Sequence, residues 1–189
     1  MIAIDAFWTN GYEATSTREL VRLTGLGQPS LYNVFGDKRS LFRRALRTYA
    51  EWTVRDRIAY LQAEFSPGRA LAAYFDDVIE SAITDPLQRG CLLVNTVLCA
   101  SINDDDLKRS VAEDIEEIRR FFERCVTYGQ QSGELTVWVS PQAAADHLFA
   151  ILLGIRVQAK INPDAASLKT VVATAFATLG LDSVLSVGA

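Results

Sequence analysis

Apolar residues recur three and four positions apart along almost the whole chain, the spacing of one buried helix face. The pattern predicts a short helix over 2–9, stopped by Asn10-Gly11, and a second that follows Ser16 and ends at Gly25. A third opens at Pro29 and ends at Gly36. A fourth opens at Asp37 and runs through Leu41, Phe42, Ala45, Leu46, Tyr49 and Trp52. Ser16 with Glu19 three positions on has the form of a capping box, and Pro29 suits a first helical turn because its missing N–H has no partner there anyway. Longer helices are predicted near 68–84, 91–101, 105–132, 141–161 and 164–180, with Asp104 and Ser140 as caps and Pro67, Pro86, Pro141 and Pro163 as breaks. Only Leu135-Thr136-Val137-Trp138-Val139 looks β-branched or alternating. It lies between Gly133 and Pro141 and reads as a connecting loop with at most one extended turn.

The fold class is therefore all-α. A three-helix head occupies 1–48 and a larger helical body 49–189. In the head, Leu20, Val21, Leu31 and Phe35 can share one small core with Phe7 and Tyr12, while Leu26 follows the turn at Gly25 and can plug the corner. Two short helices packed across such a turn form a helix-turn-helix. Burying that face leaves Gln28, Pro29, Ser30, Tyr32 and Asn33 at the exposed start of the third helix, where a recognition helix meets base edges. Gln28 can pair with adenine, Pro29 can touch a thymine methyl, and Arg18 can reach guanine with its planar fork. The Ser30 and Tyr32 hydroxyls and the Lys38 ammonium can meet phosphates, Lys38 beside the free N–H groups of the fourth helix. Equally, Arg18 could pair with a nearby acid and Tyr32 could be half-buried core.

Charge sharpens this reading. The chain carries a net −4, yet residues 1–48 hold seven bases and four acids, a local +3, and the remainder holds twelve bases and nineteen acids, −7. A basic head on an acidic body suits a protein that meets phosphate at one end. With 49% hydrophobic residues the 189-residue chain has ample core. No apolar run is long enough to span a bilayer and the start lacks the pattern of a signal peptide, so a cytoplasmic location is expected. Cys91, Cys99 and Cys125 form no CxxC pair and His147 is the one histidine, so no metal site or cofactor is expected; reduced thiols are the expected state, with redox sensing the sharper alternative. No GxGxxG, P-loop or GxSxG motif is present, which argues against an enzyme. The acidic runs Asp104-Asp105-Asp106 and Glu116-Glu117 read as solvated faces or caps. A helical interaction module without DNA binding is the other alternative.

Residues 3–49 resemble the DNA-binding domain of the TetR family of bacterial regulators. The resemblance is carried by Ala6-Phe7, Gly11-Tyr12-Glu13-Ala14-Thr15-Ser16, Thr17-Arg18, Gly25-Leu26, Gln28-Pro29, Ser30-Leu31-Tyr32, Phe35, Lys38 and Leu41-Phe42. It implies operator contacts at Thr17, Arg18, Gln28, Pro29 and Tyr32, and more loosely at Ser30, Asn33 and Lys38. Two departures stand out: Gly27 occupies a position where a Ser or Thr cap is common, and the basic arm that usually precedes Ala3 is not seen.

One short recognition helix reads only a few base pairs, so a homodimer on two half-sites of double-stranded operator DNA is expected. The last two helices suit the dimer: Leu148, Ile151, Leu152, Ile155, Val172 and Phe176 supply apolar area, and small residues such as Ala150 and Gly154 permit close approach. The resemblance supports this, because the last two family helices form a four-helix bundle across a two-fold axis. It also implies a small-molecule effector site in the body and a repressor released when the fourth helix pivots. Arg89-Gly90-Cys91-Leu92-Leu93-Val94-Asn95-Thr96 is similar to the family's sixth-helix segment. Candidate lining residues are Trp52, Phe75, Asn95, Cys99, Phe121, Phe122, Tyr128 and His147.

Overall fold

The computed structural model describes residues 1–99, 105–136 and 138–181, apart from the side chain of Tyr32. Asp104, Val137 and the end of the helix expected over 91–101 lie outside the described residues. The described elements are α1 (Ile2–Ala14), α2 (Thr17–Thr24), α3 (Gln28–Phe35), α4 (Lys38–Ala50), a π-helical turn (Glu51–Arg55), α5 (Asp56–Glu64), α6 (Pro67–Thr84), α7 (Leu92–Leu98), α8 (Asp105–Ser132), α9 (Pro141–Ile161) and α10 (Ala165–Leu179). No strand occurs among the described residues.

The chain forms two compact units, Met1–Arg55 with Cys91–Ile115, and Asp56–Gly90 with Glu116 onward. This differs from a simple division at residue 48. The reason is tertiary: α7 packs against α4, which draws a distant stretch of sequence into the first unit.

In the first unit α1 packs on α2 and α4, and α3 on α2 and α4. Phe7 and Leu20 are fully buried, and Phe7, Tyr12 and Phe42 form an aromatic cluster with centroids 4.9–6.3 Å apart. As expected, the first helix breaks at Gly11, although one further turn carries α1 on to Ala14. Gly11 leaves helical geometry (φ 78, ψ 171), a conformation essentially confined to glycine. The buried Thr15 hydroxyl lies 2.7 Å from the Gly11 carbonyl and 3.3 Å from that of Ala6, so it ties the broken segment back to the helix.

In the second unit α6, α9 and α10 pack together and α5 lies on α6. Its core is aromatic. Phe75 stacks on Phe122 at 5.5 Å and meets Phe176 edge-on at 5.7 Å, while Tyr74 contacts Phe121 and Phe122 at 5.6 and 5.2 Å. Each such ring is worth about 1.5–3 kcal/mol by burial alone. The start of α6 is capped from afar: Glu134 Oε1 accepts from the Ser66 hydroxyl at 2.6 Å and from the Gly68 N–H at 3.1 Å.

Candidate nucleic-acid interface

Local chemistry sets the two short helices. The Ser16 hydroxyl accepts from Glu19 N–H at 3.1 Å and caps α2. Glu19 does not reach back as in a full capping box; its carboxylate accepts from Asn10 at 3.2 Å instead. At the other end Gly25 adopts the left-handed conformation (φ 68, ψ 4) and its N–H closes on Val21 O. Thr24 donates to Leu20 O at 2.7 Å and accepts from Leu26 N–H at 3.4 Å, which fixes the exit of the turn. α3 then opens with Leu31 N–H on Gly27 O at 3.0 Å. Gly27 therefore closes the first α3 turn through its carbonyl, without a side-chain cap.

Leu20 and Leu31 anchor α2 and α3 inward. Gln28, Pro29, Ser30 and Asn33 are exposed together on α3, and Arg18 is exposed on α2. Arg18 has no hydrogen-bond or ion-pair partner among the described residues, so the alternative of a local ion pair has no support. Thr17 is half-buried at the first position of α2. Leu26 does not plug the corner: it is 40% exposed, while Leu20 and Leu31 are the residues buried on α2 and α3. Arg22, one helical turn after Arg18 and also exposed, adds a second guanidinium to the same face. The i, i+4 spacing of the two arginines was the available signal for it.

Lys38 is held rather than extended. Its ammonium donates to the Glu13 carbonyl at 3.3 Å and lies 4.4 Å over the Tyr12 ring. The expected phosphate seat at the start of α4 is partly filled by the chain itself, since the Asp37 carboxylate accepts from Ser40 N–H at 2.6 Å. That hydrogen bond, with the Ser40 hydroxyl beside it, holds the Asp37 carboxyl below its ordinary value.

Against this geometry, two family models match the sequence. The model described as "Bacterial regulatory proteins, tetR family" covers residues 2–45, and "Tetracyclin repressor-like, C-terminal domain" covers residues 67–175. The chain belongs to the TetR family. The family assignment makes it a transcription regulator rather than an enzyme. Among similar proteins, ComR of Escherichia coli strain K12, named an HTH-type transcriptional repressor, is 28% identical over 180 residues, 95% of this chain and 84% of ComR. DhaR of Mycobacterium sp. strain GP1, also named a repressor, is 25% identical over 157 residues, 82% and 77% of the two chains. The structure of a cysteine mutant of the TetR-family regulator CifR, bound to 26-base-pair operator DNA, aligns with TM-score 0.83 at 28% identity, covering 94% of this chain and 93% of the other. A TetR regulator from Chloroflexus aurantiacus aligns with TM-score 0.80 at 26% identity, covering 93% and 90%.

The remaining sequence candidates divide between the two units. Trp52, Asn95 and Cys99 fall in the first unit, and Phe75, Phe121, Tyr128 and His147 in the second. Phe75, Phe121 and Phe122 are packed ring against ring and offer no surface to a ligand. Trp52 and Tyr128 point to solvent, at 47% and 56% exposure. His147 is half-buried; Asn95 and Cys99 are half-buried and have partners of their own.

The dimer candidates also sort by face. Leu148, Leu152, Ile155, Val172 and Phe176 are buried within their own unit, because α6, α9 and α10 need those side chains for a common core; Ile151 is half-buried. The opposite face of α9 carries Ala150, Gly154, Val157 and Ile161, all exposed. On α10 the exposed positions include Ala166, Thr170, Ala173, Thr174, Ala177 and Thr178. Thr170, Thr174 and Thr178 each donate to the carbonyl four residues back, at 2.8–2.9 Å.

The cysteines divide too. Cys91 and Cys125 are buried and Cys99 is half-buried. Burial pushes the Cys125 thiol up to about 12, which keeps it protonated and unreactive.

Proposed function

We propose that this TetR-family chain is a dimeric, effector-responsive repressor that reads a palindromic operator in the cytoplasm. The observation that carries the proposal is the shared exposure of Gln28, Pro29, Ser30 and Asn33 on α3 beside Arg18 on α2, which has no partner among the described residues, over a core closed by Leu20 and Leu31. Gln28 has the donor–acceptor pair for adenine and Arg18 the fork for guanine. Arg22 serves phosphate.

Dimerisation follows from the reach of one α3, which covers only a few base pairs. Two copies on successive major grooves need about 34–36 Å between them. The exposed α9–α10 face supports such a pairing. Ala150, Gly154, Ala173 and Ala177 permit backbones to approach closely, and Val157 and Ile161 are apolar area in need of cover. The threonine hydroxyls are turned onto their own helix, which leaves methyl groups outward. An effector acts by binding one conformation better than the other, so that the two α3 surfaces no longer match one turn of DNA. CifR bound to its operator supports the DNA-binding reading, and the names of ComR and DhaR support repression.

The test is selection of bound fragments from genomic DNA, followed by a titration of affinity against salt. A specific site is expected, with affinity falling steeply as salt rises. Arg18→Ala and Gln28→Ala are each expected to weaken the selected site by about 1–3 kcal/mol and to relax its sequence preference. Unchanged affinity and preference in both variants would overturn the assignment.

A further inference from the structure

The helix α3 reads from its start and is held at its end. It spans only eight residues, Gln28–Phe35, and its last turn carries no basic residue. Gly36 follows in the left-handed region (φ 83), so the chain turns away at once. Leu31 and Phe35 share an internal wall with Leu20 of α2 and Leu41 of α4. Phe35 is nonetheless only half-buried, and the Arg44 guanidinium lies over its ring, with Cζ 5.2 Å from the centroid. That is inside the roughly 6 Å at which a cation is drawn to the negative face of an aromatic ring.

Arg44 is exposed on α4 and has no hydrogen-bond or ion-pair partner among the described residues. Its neighbour Arg43 differs, being half-buried and already engaged. The stack on Phe35 is therefore the contact that holds the Arg44 head group, and it joins α4 to the last residue of α3. Lys38, at the start of α4, is occupied with the Tyr12 ring and the Glu13 carbonyl at the end of α1. Lys38 and Arg44 thus each lay a cation over an aromatic ring of another head helix. The first ties α4 to α1, and the second ties it to α3.

We propose that Arg44 is a positioning residue for the recognition helix: stacked on Phe35, it fixes the end of α3 against α4 and so the angle at which Gln28, Pro29, Ser30 and Asn33 are presented. It acts through Phe35 and touches no base. A recognition surface must be held to within about 0.5 Å and 10–20° of its productive geometry, so a small rotation of α3 costs discrimination before it costs folding. An exposed cation–π contact is worth about two- to fivefold in an equilibrium constant. Loss of Arg44 therefore loosens α3 and leaves the head folded. The effect on DNA reading rests on the operator-reading proposal; the effect on α3 itself does not.

The experiment uses the full-length protein as wild type, Arg44→Gln, Phe35→Leu and the double variant. Without DNA, amide hydrogen exchange is followed by mass spectrometry. The α3 amides should exchange about two- to fivefold faster in Arg44→Gln while those of α1 are unchanged, and Arg44→Gln should add nothing in the Phe35→Leu background. With DNA, affinity is measured for the selected operator and for a scrambled duplex over a range of salt. The ratio of the two affinities should fall about two- to fivefold in Arg44→Gln, while affinity for the scrambled duplex and its salt dependence stay as in wild type. Because Arg44 is exposed, Arg44→Gln keeps the test decisive where Phe35→Leu disturbs folding. The proposal is overturned if α3 exchange or the affinity ratio is unchanged, or if Arg44→Gln keeps its full effect in the Phe35→Leu background. It is also overturned if both duplexes are weakened alike with the salt slope reduced by about one, which marks a phosphate contact instead. The two readings separate cleanly. A wild type that selects no operator refutes the regulator, and the exchange experiment still decides the clamp; a wild type that selects one while α3 exchange is unmoved refutes the clamp and leaves the regulator standing.

Discussion

Gly11 offers a clean test of how the head is built, because its substitution isolates backbone strain. A Cβ added there would meet nothing within 4 Å, so alanine introduces no clash. The cost is conformational: φ 78 and ψ 171 lie in a region that only glycine enters freely, and occupying it costs about 1–3 kcal/mol. Alanine also stiffens the unfolded chain, which offsets about 0.4–1 kcal/mol. The net expectation for Gly11→Ala is a loss of about 1–2 kcal/mol, or roughly 2–8 °C in melting temperature for a chain of this size. The structure does not let the segment relax without loss, because the buried Thr15 hydroxyl is bonded to the Gly11 carbonyl and Lys38 rests on Tyr12 and the Glu13 carbonyl. Thermal unfolding followed by circular dichroism measures it. Gly25 supplies the control. Its conformation is the ordinary left-handed one, which asparagine tolerates, so Gly25→Asn should cost much less than Gly25→Ala, whereas Gly11→Asn should be as damaging as Gly11→Ala. Wild-type stability in Gly11→Ala, or full rescue by asparagine at Gly11, would refute the reasoning.

Three further outcomes follow from the same structure. Cys125, whose thiol is pushed up to about 12, should stay unmodified when the native protein is treated with a thiol alkylator at pH 8 and react after unfolding, as read by mass spectrometry. Asp37 titrates below its ordinary 3.8 in the folded chain, so its ionised cap adds stability above that value and loses it as pH falls through the lowered folded value; acid denaturation curves of wild type should drop more steeply below about pH 4 than those of Asp37→Asn. Ala177→Glu places a charge on the exposed α10 face without touching the unit's core, so it should yield a folded monomer by light scattering with operator affinity sharply reduced; a stable dimer would show that the interface lies elsewhere.

How far the sequence reaches depends on whether a feature is local. Ser16, Gly25, Asp37 and Ser140 act within three or four residues of themselves, and each marks a helix end at the place its chemistry requires. The exposed group on α3 was legible for the same reason: Leu31 had to face inward, which turned Gln28, Pro29, Ser30 and Asn33 outward. The π-helical turn and the grouping of α7 with α4 depend on distant partners and left no local mark. Arg55 and Asp114 are 59 positions apart, and neither residue announces the other. Aromatic residues misled for a related reason. Phe75 and Tyr128 are both plausible pocket walls by type, but the first is enclosed by Phe122 and Phe176 and the second faces solvent.

The two faces of α9 and α10 pose the hardest case, since both helices are apolar or small nearly all round. Large residues then go to whichever side must fill volume, and Leu148, Leu152, Ile155 and Phe176 fill the chain's own core. On the proposed dimer face, what remains for a partner is the side with small residues, where a helix can approach closely and the area per residue is low. Thr170, Thr174 and Thr178 read as polar by residue type, which suggests a solvated face. Their hydroxyls, however, donate to Ala166, Thr170 and Thr174 carbonyls of the same helix. Each donor is satisfied before any partner arrives, so burying these threonines strands no hydroxyl proton and covers methyl groups. The polarity of this face thus belongs to the helix's internal bonding, and its outward chemistry is that of a close-packing surface.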